Sequence, residues 1–263
     1  MIDRLQVFIG YDERESIAYH VLADSIKRHA TIDVNVRPLI TENIPAFTRP
    51  RDPKQSTDFA FSRFMVPYLS DYRGTSIFMD CDMLMRADIA ELLADVPERA
   101  DVSVCQHDYT PKGFLESGAE CGITHEYGKD GQPFLQHSEC DECRRRARLG
   151  IWAKGPTKFL GQVQTAYPRK NWSSLMVFDN VACRKLTPYY VNRASAADLH
   201  RLAWAKDIGA LPLTWNWLVG EYADNPDAKC WHWTIGGPWF PDYANTAHAD
   251  EWRAARDRML ACS

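Results

Sequence analysis

The opening of the chain constrains the fold most tightly. Residues 5–9 (Leu-Gln-Val-Phe-Ile) read as a strand closed by Gly10-Tyr11-Asp12. Residues 14–29 carry Ile17, Val21, Leu22 and Ile26 at helical spacing, and residues 34–39 read as a second strand. A β-loop-α-β opening of this kind begins an open, mostly parallel α/β sheet. Such sheets bind ligands outside the carboxyl ends of their strands, and Tyr11-Asp12 stands at one such end.

A second strand end carries more pointed chemistry. The run Thr75-Ser76-Ile77-Phe78-Met79 leads straight into Asp80-Cys81-Asp82. Side chains alternate along a strand, so carboxylates at i and i+2 leave on the same side. Two hard oxygen ligands in water suit Mg²⁺ or Mn²⁺, which such sites share with substrate phosphates. Asp-X-Asp by itself is common, and a polar loop after an ordinary strand is the competing reading.

Further along, residues 44–53 hold three prolines and read as a loop. Phe61, Phe64, Met65, Tyr68 and Leu69 mark one face of a helix, from which Ser62 and Arg63 fall away. Arg63 is then either free to reach a phosphate or base, or a solvated surface arginine. Asp88 suits the cap of a short helix, and residues 101–105 read as a strand. Periodicity fades from about residue 113 to 156 and resumes with a strand over 172–179, a helix over 195–204, a short strand over 229–233 and a closing helix over 249–260. The expected organisation is one domain over residues 1–263, with residues 113–156 an irregular insertion.

Charge and hydropathy exclude some partners. A net charge of −4 argues against a general nucleic-acid surface. No apolar run approaches the roughly 20 residues that span a bilayer, and the first residues lack the long apolar core of a signal peptide. The expected location is the cytoplasm, with most of the eight cysteines reduced. Cys81, Cys105, Cys183 and Cys230 lie in apolar segments and read as small core residues. Six tryptophans crowd between Trp204 and Trp239, as core or as the lining of a site that stacks on bases or sugars.

His232 ends the last short strand and is a third candidate partner for the two carboxylates; an imidazole beside two carboxylates suits Mn²⁺ better than Mg²⁺ or Ca²⁺. Gly236-Gly237 behind it offers either backbone N–H groups for a phosphate or a plain turn. The stretches Phe8-Ile9-Gly10-Tyr11-Asp12, Phe61-Ser62-Arg63-Phe64, Phe78-Met79-Asp80-Cys81-Asp82, Leu211-Pro212-X-X-Trp215-Asn216 and His232-Trp233-X-X-Gly236-Gly237-Pro238-Trp239 occur in this order. The series resembles the GT-A fold glycosyltransferases, most closely the retaining family 8 type, over nearly the whole chain outside residues 113–156. The resemblance implies a nucleotide-sugar donor, most often a UDP-sugar, bound with Mn²⁺ or Mg²⁺, and an acceptor that it does not name. By motif, Asp80, Asp82 and His232 would hold the metal. Tyr11 and Asp12 would meet the base, Arg63 the donor and Gly236-Gly237 the diphosphate, while Trp215 and Asn216 would shape the acceptor side.

The chain departs from the family at three places. The lysine that usually precedes Pro-Trp is Gly237 here, the usual Asn-Ser-Gly stretch appears as Asn171-Trp172-Ser173-Ser174, and an acidic stretch is replaced by Leu199-His200-Arg201-Leu202. These bear on the sugar and the stereochemistry and leave the expected fold and metal site standing. A sugar-phosphate nucleotidyltransferase is the alternative within enzymes, though such enzymes carry a glycine-rich basic loop after the first strand, unlike Gly10-Tyr11-Asp12-Glu13-Arg14. A non-catalytic binding protein of the same fold is the other alternative, but it would not need Asp80, Asp82 and His232 together. Within the insertion, Cys121, His125, His137, Cys140 and Cys143 offer zinc ligands, with Cys140 and Cys143 at knuckle spacing. Cys121, His137, Cys140 and Cys143 are the favoured set for a structural Zn²⁺, against a reduced, metal-free loop. The neighbouring Arg144-Arg145-Arg146 and Arg148 read as a solvated face or a contact for an anionic partner.

Overall fold

Parallel pairing of the strands that open the chain sets the architecture. The computed structural model describes residues 4–52, 55–108, 157–163 and 169–261, and it divides into two compact units, Met1–Gln106 with Asn171–Ser263, and His107–Lys170. The first unit begins with β1 (Leu5–Gly10), α1 (Ser16–His29) and β2 (Val34–Leu39), then α2 (Val66–Leu69), β3 (Thr75–Met79), β4 (Met83–Met85), α3 (Ile89–Ala94) and β5 (Val102–Cys105). The second unit holds a two-stranded antiparallel pair, β6 (Thr157–Lys158) and β7 (Gln162–Val163). The first unit resumes with β8 (Leu175–Asp179), α4 (Pro188–Arg193), α5 (Ala196–His200), β9 (Ile208–Leu211), β10 (Trp217–Leu218), β11 (Cys230–His232) and α6 (Ala249–Ala261).

Six strands form the main sheet in the order β2-β1-β3-β8-β5-β9. β1 is parallel to β2 and β3, and β5 to β9, while β8 runs antiparallel to both of its neighbours. The sheet is thus α/β and mostly parallel, as the opening motif predicts. β3, β5 and β8 are buried along nearly their whole length, which is why they read as continuous apolar runs without alternation.

A second, three-stranded sheet, β10-β11-β4, is what turns this fold into a site. Its strands are only two or three residues long, too short for a periodicity to be read from sequence. The chain leaves the main sheet at Met79 and joins the small one at Met83, so Asp80-Cys81-Asp82 bridges the two. β11 lies antiparallel to β4 with His232 opposite Met83, and the Trp233 N–H donates to the Asp82 carbonyl at 2.9 Å.

Several elements differ from their sequence expectations for identifiable reasons. The helix expected through residues 61–69 is a 3-10 turn, Ser62–Met65, followed by α2. Pro67 has no N–H for the Arg63 carbonyl, and its ring would crowd that oxygen in a continuous α-helix. The carbonyl accepts from the Val66 N–H instead. Asn171, in the left-handed region at φ 62°, opens a turn at Trp172–Ser174, so the strand starts only at Leu175. The helix expected to reach residue 204 stops at His200, with Leu202 at φ 56° and the Trp204 indole N–H returning to the Leu199 carbonyl at 3.1 Å. Asp88 caps α3 as expected, accepting from the Ala90 N–H at 2.9 Å.

The tryptophan-rich region is core in the main. Trp204, Trp215, Trp231 and Trp233 are buried, and Trp231 and Trp233 join Val21 of α1 and Trp252 of α6 in a cluster under the small sheet. Among the described residues Cys81, Cys105, Cys183 and Cys230 are free, buried thiols. Burial pushes the Cys230 thiol up to about 12. No helix among the described residues is long and apolar enough to cross a membrane.

Candidate metal and donor site

The site starts from the strand-to-strand step at Asp80-Cys81-Asp82. Cys81 turns inward and is fully buried, which sends the carboxylates on either side of it outward together. The Asp80 N–H donates to the Ser174 carbonyl at 2.8 Å, pinning the step to β8. One ligand atom from each of Asp80, Asp82 and His232 lies within 4.8 Å of the others. The His232 Nε2 is 3.2 Å from Asp82 Oδ1. The imidazole is 1% exposed while the two carboxylate side chains keep 17% and 13%, so the nitrogen comes from the protein side and the carboxylates sit at its edge. Two carboxylate oxygens and one imidazole nitrogen, borderline to hard, are a donor set that could hold one metal ion.

Arg63 is buried, against the reading of a solvated surface arginine. Its Nη1 is 2.8 Å from Asp80 Oδ1 and donates to the Ser173 carbonyl at 2.8 Å. Its guanidinium packs over the Phe78 and Phe59 rings at 4.8 and 5.3 Å from their centroids. The 3-10 turn brings this about: three residues per turn rotates Arg63 toward the sheet, where all of Ser62, Arg63, Phe64 and Met65 are buried. Arg63 therefore orients a candidate metal ligand.

Trp215 is likewise packed in the core. Fully buried, it donates its indole N–H to Asp95 Oδ2 at 2.7 Å and lies under Lys229, whose Nζ is 4.6 Å from the ring centroid. Asn216 is also fully buried, and its Oδ1 is 2.8 Å from His232 Nδ1.

Asp12 is buried at the end of β1. It accepts from the Arg14 N–H at 3.1 Å, from Arg14 Nε at 2.8 Å and Nη2 at 2.5 Å, and from the Asp58 N–H at 3.2 Å. Burial alone would raise its pKa, but the hydrogen bonds and charge of Arg14, with the Asp58 N–H, outweigh it and hold the carboxyl below the usual range. Arg14 in turn donates to the Ser56 carbonyl at 2.9 Å, so this pair fastens the loop before Phe59 to the end of β1. Tyr11 is half-buried at that end, edge-on to Tyr19 at 5.5 Å between ring centroids.

The glycine pair is shaped by aromatic packing. A Cβ on Gly237 would stand 2.0 Å from the Trp239 ring, and one on Gly236, at φ +156°, would stand 2.7 Å from Tyr243. The Gly236 N–H donates to the Trp233 carbonyl at 3.0 Å, closing a turn. The segment from Asn171 to Ser174 and His200, which the sequence marks only as departures from the family pattern, meet here: His200 Nδ1 is 3.0 Å from Ser173 Oγ. Only the αL-tolerant Asn171 carried a local signal for it. Cys121, His125, His137, Cys140 and Cys143, with Arg144, Arg145, Arg146 and Arg148, lie outside the described residues.

No family model matches the chain. Protein CDI of Arabidopsis thaliana is 35% identical to it over 259 residues, covering 94% of this chain and 84% of that protein. The chain belongs to the Protein CDI family. Among solved structures it is similar to the galactosyltransferase LgtC, determined with donor and acceptor sugar analogues, at a TM-score of 0.53 and 10% identity over 97% of this chain and 96% of that one. It is also similar to the glycosyltransferase GlyE of Streptococcus pneumoniae TIGR4, at a TM-score of 0.52 and 12% identity over 98% of this chain but 63% of GlyE, less than two thirds of its length. These likenesses identify the fold of this Protein CDI family member as the GT-A glycosyltransferase fold.

Proposed function

We propose that the protein is a metal-dependent glycosyltransferase that moves a sugar, a hexose in the first instance, from a nucleotide-sugar donor to an acceptor. The observation that carries this reading is the gathering of Asp80, Asp82 and His232 at the carboxyl end of β3 in a GT-A fold. The motif series resembling the retaining family 8 type points to a UDP-sugar and to Mn²⁺ or Mg²⁺. In this reading Asp80, Asp82 and His232 hold the cation, and Arg63 fixes Asp80 from behind. When bound, the cation supplies charge neutralisation for a departing nucleoside diphosphate.

The chain's own residues do the rest. Tyr11, half-buried at the end of β1, offers a ring face for a base. Asp12 and Arg14 keep that strand end and the loop before Phe59 in register. The sugar–phosphate bond already has a good leaving group, so orientation and local electrostatics are the main work left to the protein. The free, buried thiols of β5, β11 and their neighbours suit a reducing cytoplasm.

The test is donor hydrolysis over a panel of UDP- and GDP-sugars, with Mn²⁺ or with EDTA, on wild type and Asp82→Ala. Mn²⁺-dependent release of nucleoside diphosphate from one donor, lost in Asp82→Ala, is the expected result. Folded protein that neither releases nor binds nucleotide in Mn²⁺ would sink the reading.

A further inference from the structure

The hydrogen bonds behind His232 can be given directions without assuming any of them. The chain of contacts ends in a backbone carbonyl, Asn171 O, which can only accept. Ser174 Oγ is 2.6 Å from that oxygen, so the hydroxyl proton is spent there. Ser174 Oγ must then accept from the Asn216 side chain at 2.8 Å, which makes the atom facing it the amide nitrogen. Asn171 O, 3.5 Å from the same atom, demands the same orientation. The Asn216 amide is thereby fixed by the network, and its Oδ1 must face His232 Nδ1 at 2.8 Å. That nitrogen carries the proton.

From this we infer that Asn216 is a positioning residue: held by Ser174 and the Asn171 carbonyl, it fixes the proton of His232 on Nδ1 and aims Nε2 toward Asp82. The inference rests on the metal site proposed above and explains how that site is prepared. Nε2 stands 3.2 Å from Asp82 Oδ1, so the position between them takes either a proton or a metal cation. A histidine ligand's second nitrogen usually donates to a carboxylate, carbonyl or water, which sets its tautomer. Here a buried amide takes that role, and it adds no charge behind the ligand. The αL conformation of Asn171 is what turns its carbonyl toward Ser174 and Asn216, and its own side chain receives the Thr234 hydroxyl at 3.5 Å.

The test uses the full chain with Mn²⁺ alone as probe, binding being read from the electron paramagnetic signal of free ion. Imidazole ¹⁵N–¹H correlations of His232 are recorded in the metal-free protein. Asp82→Ala is expected to abolish binding; retention of wild-type affinity there would overturn the metal site itself. Given that loss, Asn216→Ala is expected to weaken Mn²⁺ by about 10–100-fold and to shift the imidazole away from the Nδ1–H pattern. Asn216→Asp, which keeps an acceptor for Nδ1, is expected to keep that pattern. Ser174→Ala frees the amide to turn over and is expected to act in the same direction as Asn216→Ala, more weakly; it serves if Asn216→Ala does not fold. Affinity within twofold of wild type, or an unchanged Nδ1–H pattern, in whichever of Asn216→Ala and Ser174→Ala is read would overturn the inference while leaving the metal site intact.

Discussion

Replacing Arg63 by alanine separates two views of this residue by several kcal/mol. On the surface of a helix, its removal would cost within about 0.5 kcal/mol. In the structure it is buried, ion-paired to Asp80 Oδ1 at 2.8 Å, bonded to the Ser173 carbonyl, and packed over Phe78 and Phe59. Breaking a buried pair by removing one partner costs about 3–5 kcal/mol, because the other charge is left uncompensated. Asp80 retains 17% exposure and recovers some hydration, which favours the lower half of that range. For a chain of this size each kcal/mol moves Tm by about 2–4 °C, so a fall of roughly 6–16 °C is expected in metal-free buffer. Chemical denaturation should give the same loss with an unchanged slope. A double-mutant cycle with Asp80→Ala should return a coupling of about 1–3 kcal/mol, since the double variant no longer leaves a charge stranded. A metal-free Arg63→Ala protein that melts within 2 °C of wild type would refute the buried-anchor reasoning.

Acid should unfold the protein partly through Asp12. Its folded-state pKa lies below the ordinary carboxylate value, so the stability it contributes is fully present above about pH 4 and is lost as pH falls through the folded value. Asp12→Asn should lower stability at neutral pH and flatten the acid limb of a Tm-against-pH profile; an acid limb as steep as that of wild type would count against it. Gly237→Ala should cost about 1–3 kcal/mol by thermal or urea melting, because the added carbon lands 2.0 Å from the Trp239 ring. A neutral result there would mean that the Trp239 ring moves aside freely.

The main sheet was legible where side-chain chemistry and strand length agreed. Thr75–Met79 and Val34–Leu39 were marked by their apolar and β-branched residues to the residue. The Asp-X-Asp step was legible too, because alternation along a strand fixes which side chains share a side. Arg63 was misplaced because helical periodicity was projected across Pro67, and one missing N–H converts the turn and rotates the side chain inward. The burial of Trp215 was not legible, because nothing local distinguishes a core indole from a site indole and its partner Asp95 is distant in sequence. The network behind His232 was illegible for the same reason. The Asn171–Ser174 turn, Asn216 and His232 stand in three separate segments, and only the small sheet and the turn before β8 bring them together.

The small sheet also decides when such a site can exist. Its middle strand comes from the last third of the chain and closes against the residue that follows Asp82, so the three candidate ligands meet only once His232 has come back beside Met83. A cation seated there acts as a clasp between the front and the back of the chain. Its affinity adds to global stability as RT ln(1 + [M]/Kd), and a truncated or nicked chain that loses the clasp loses the ligand with it.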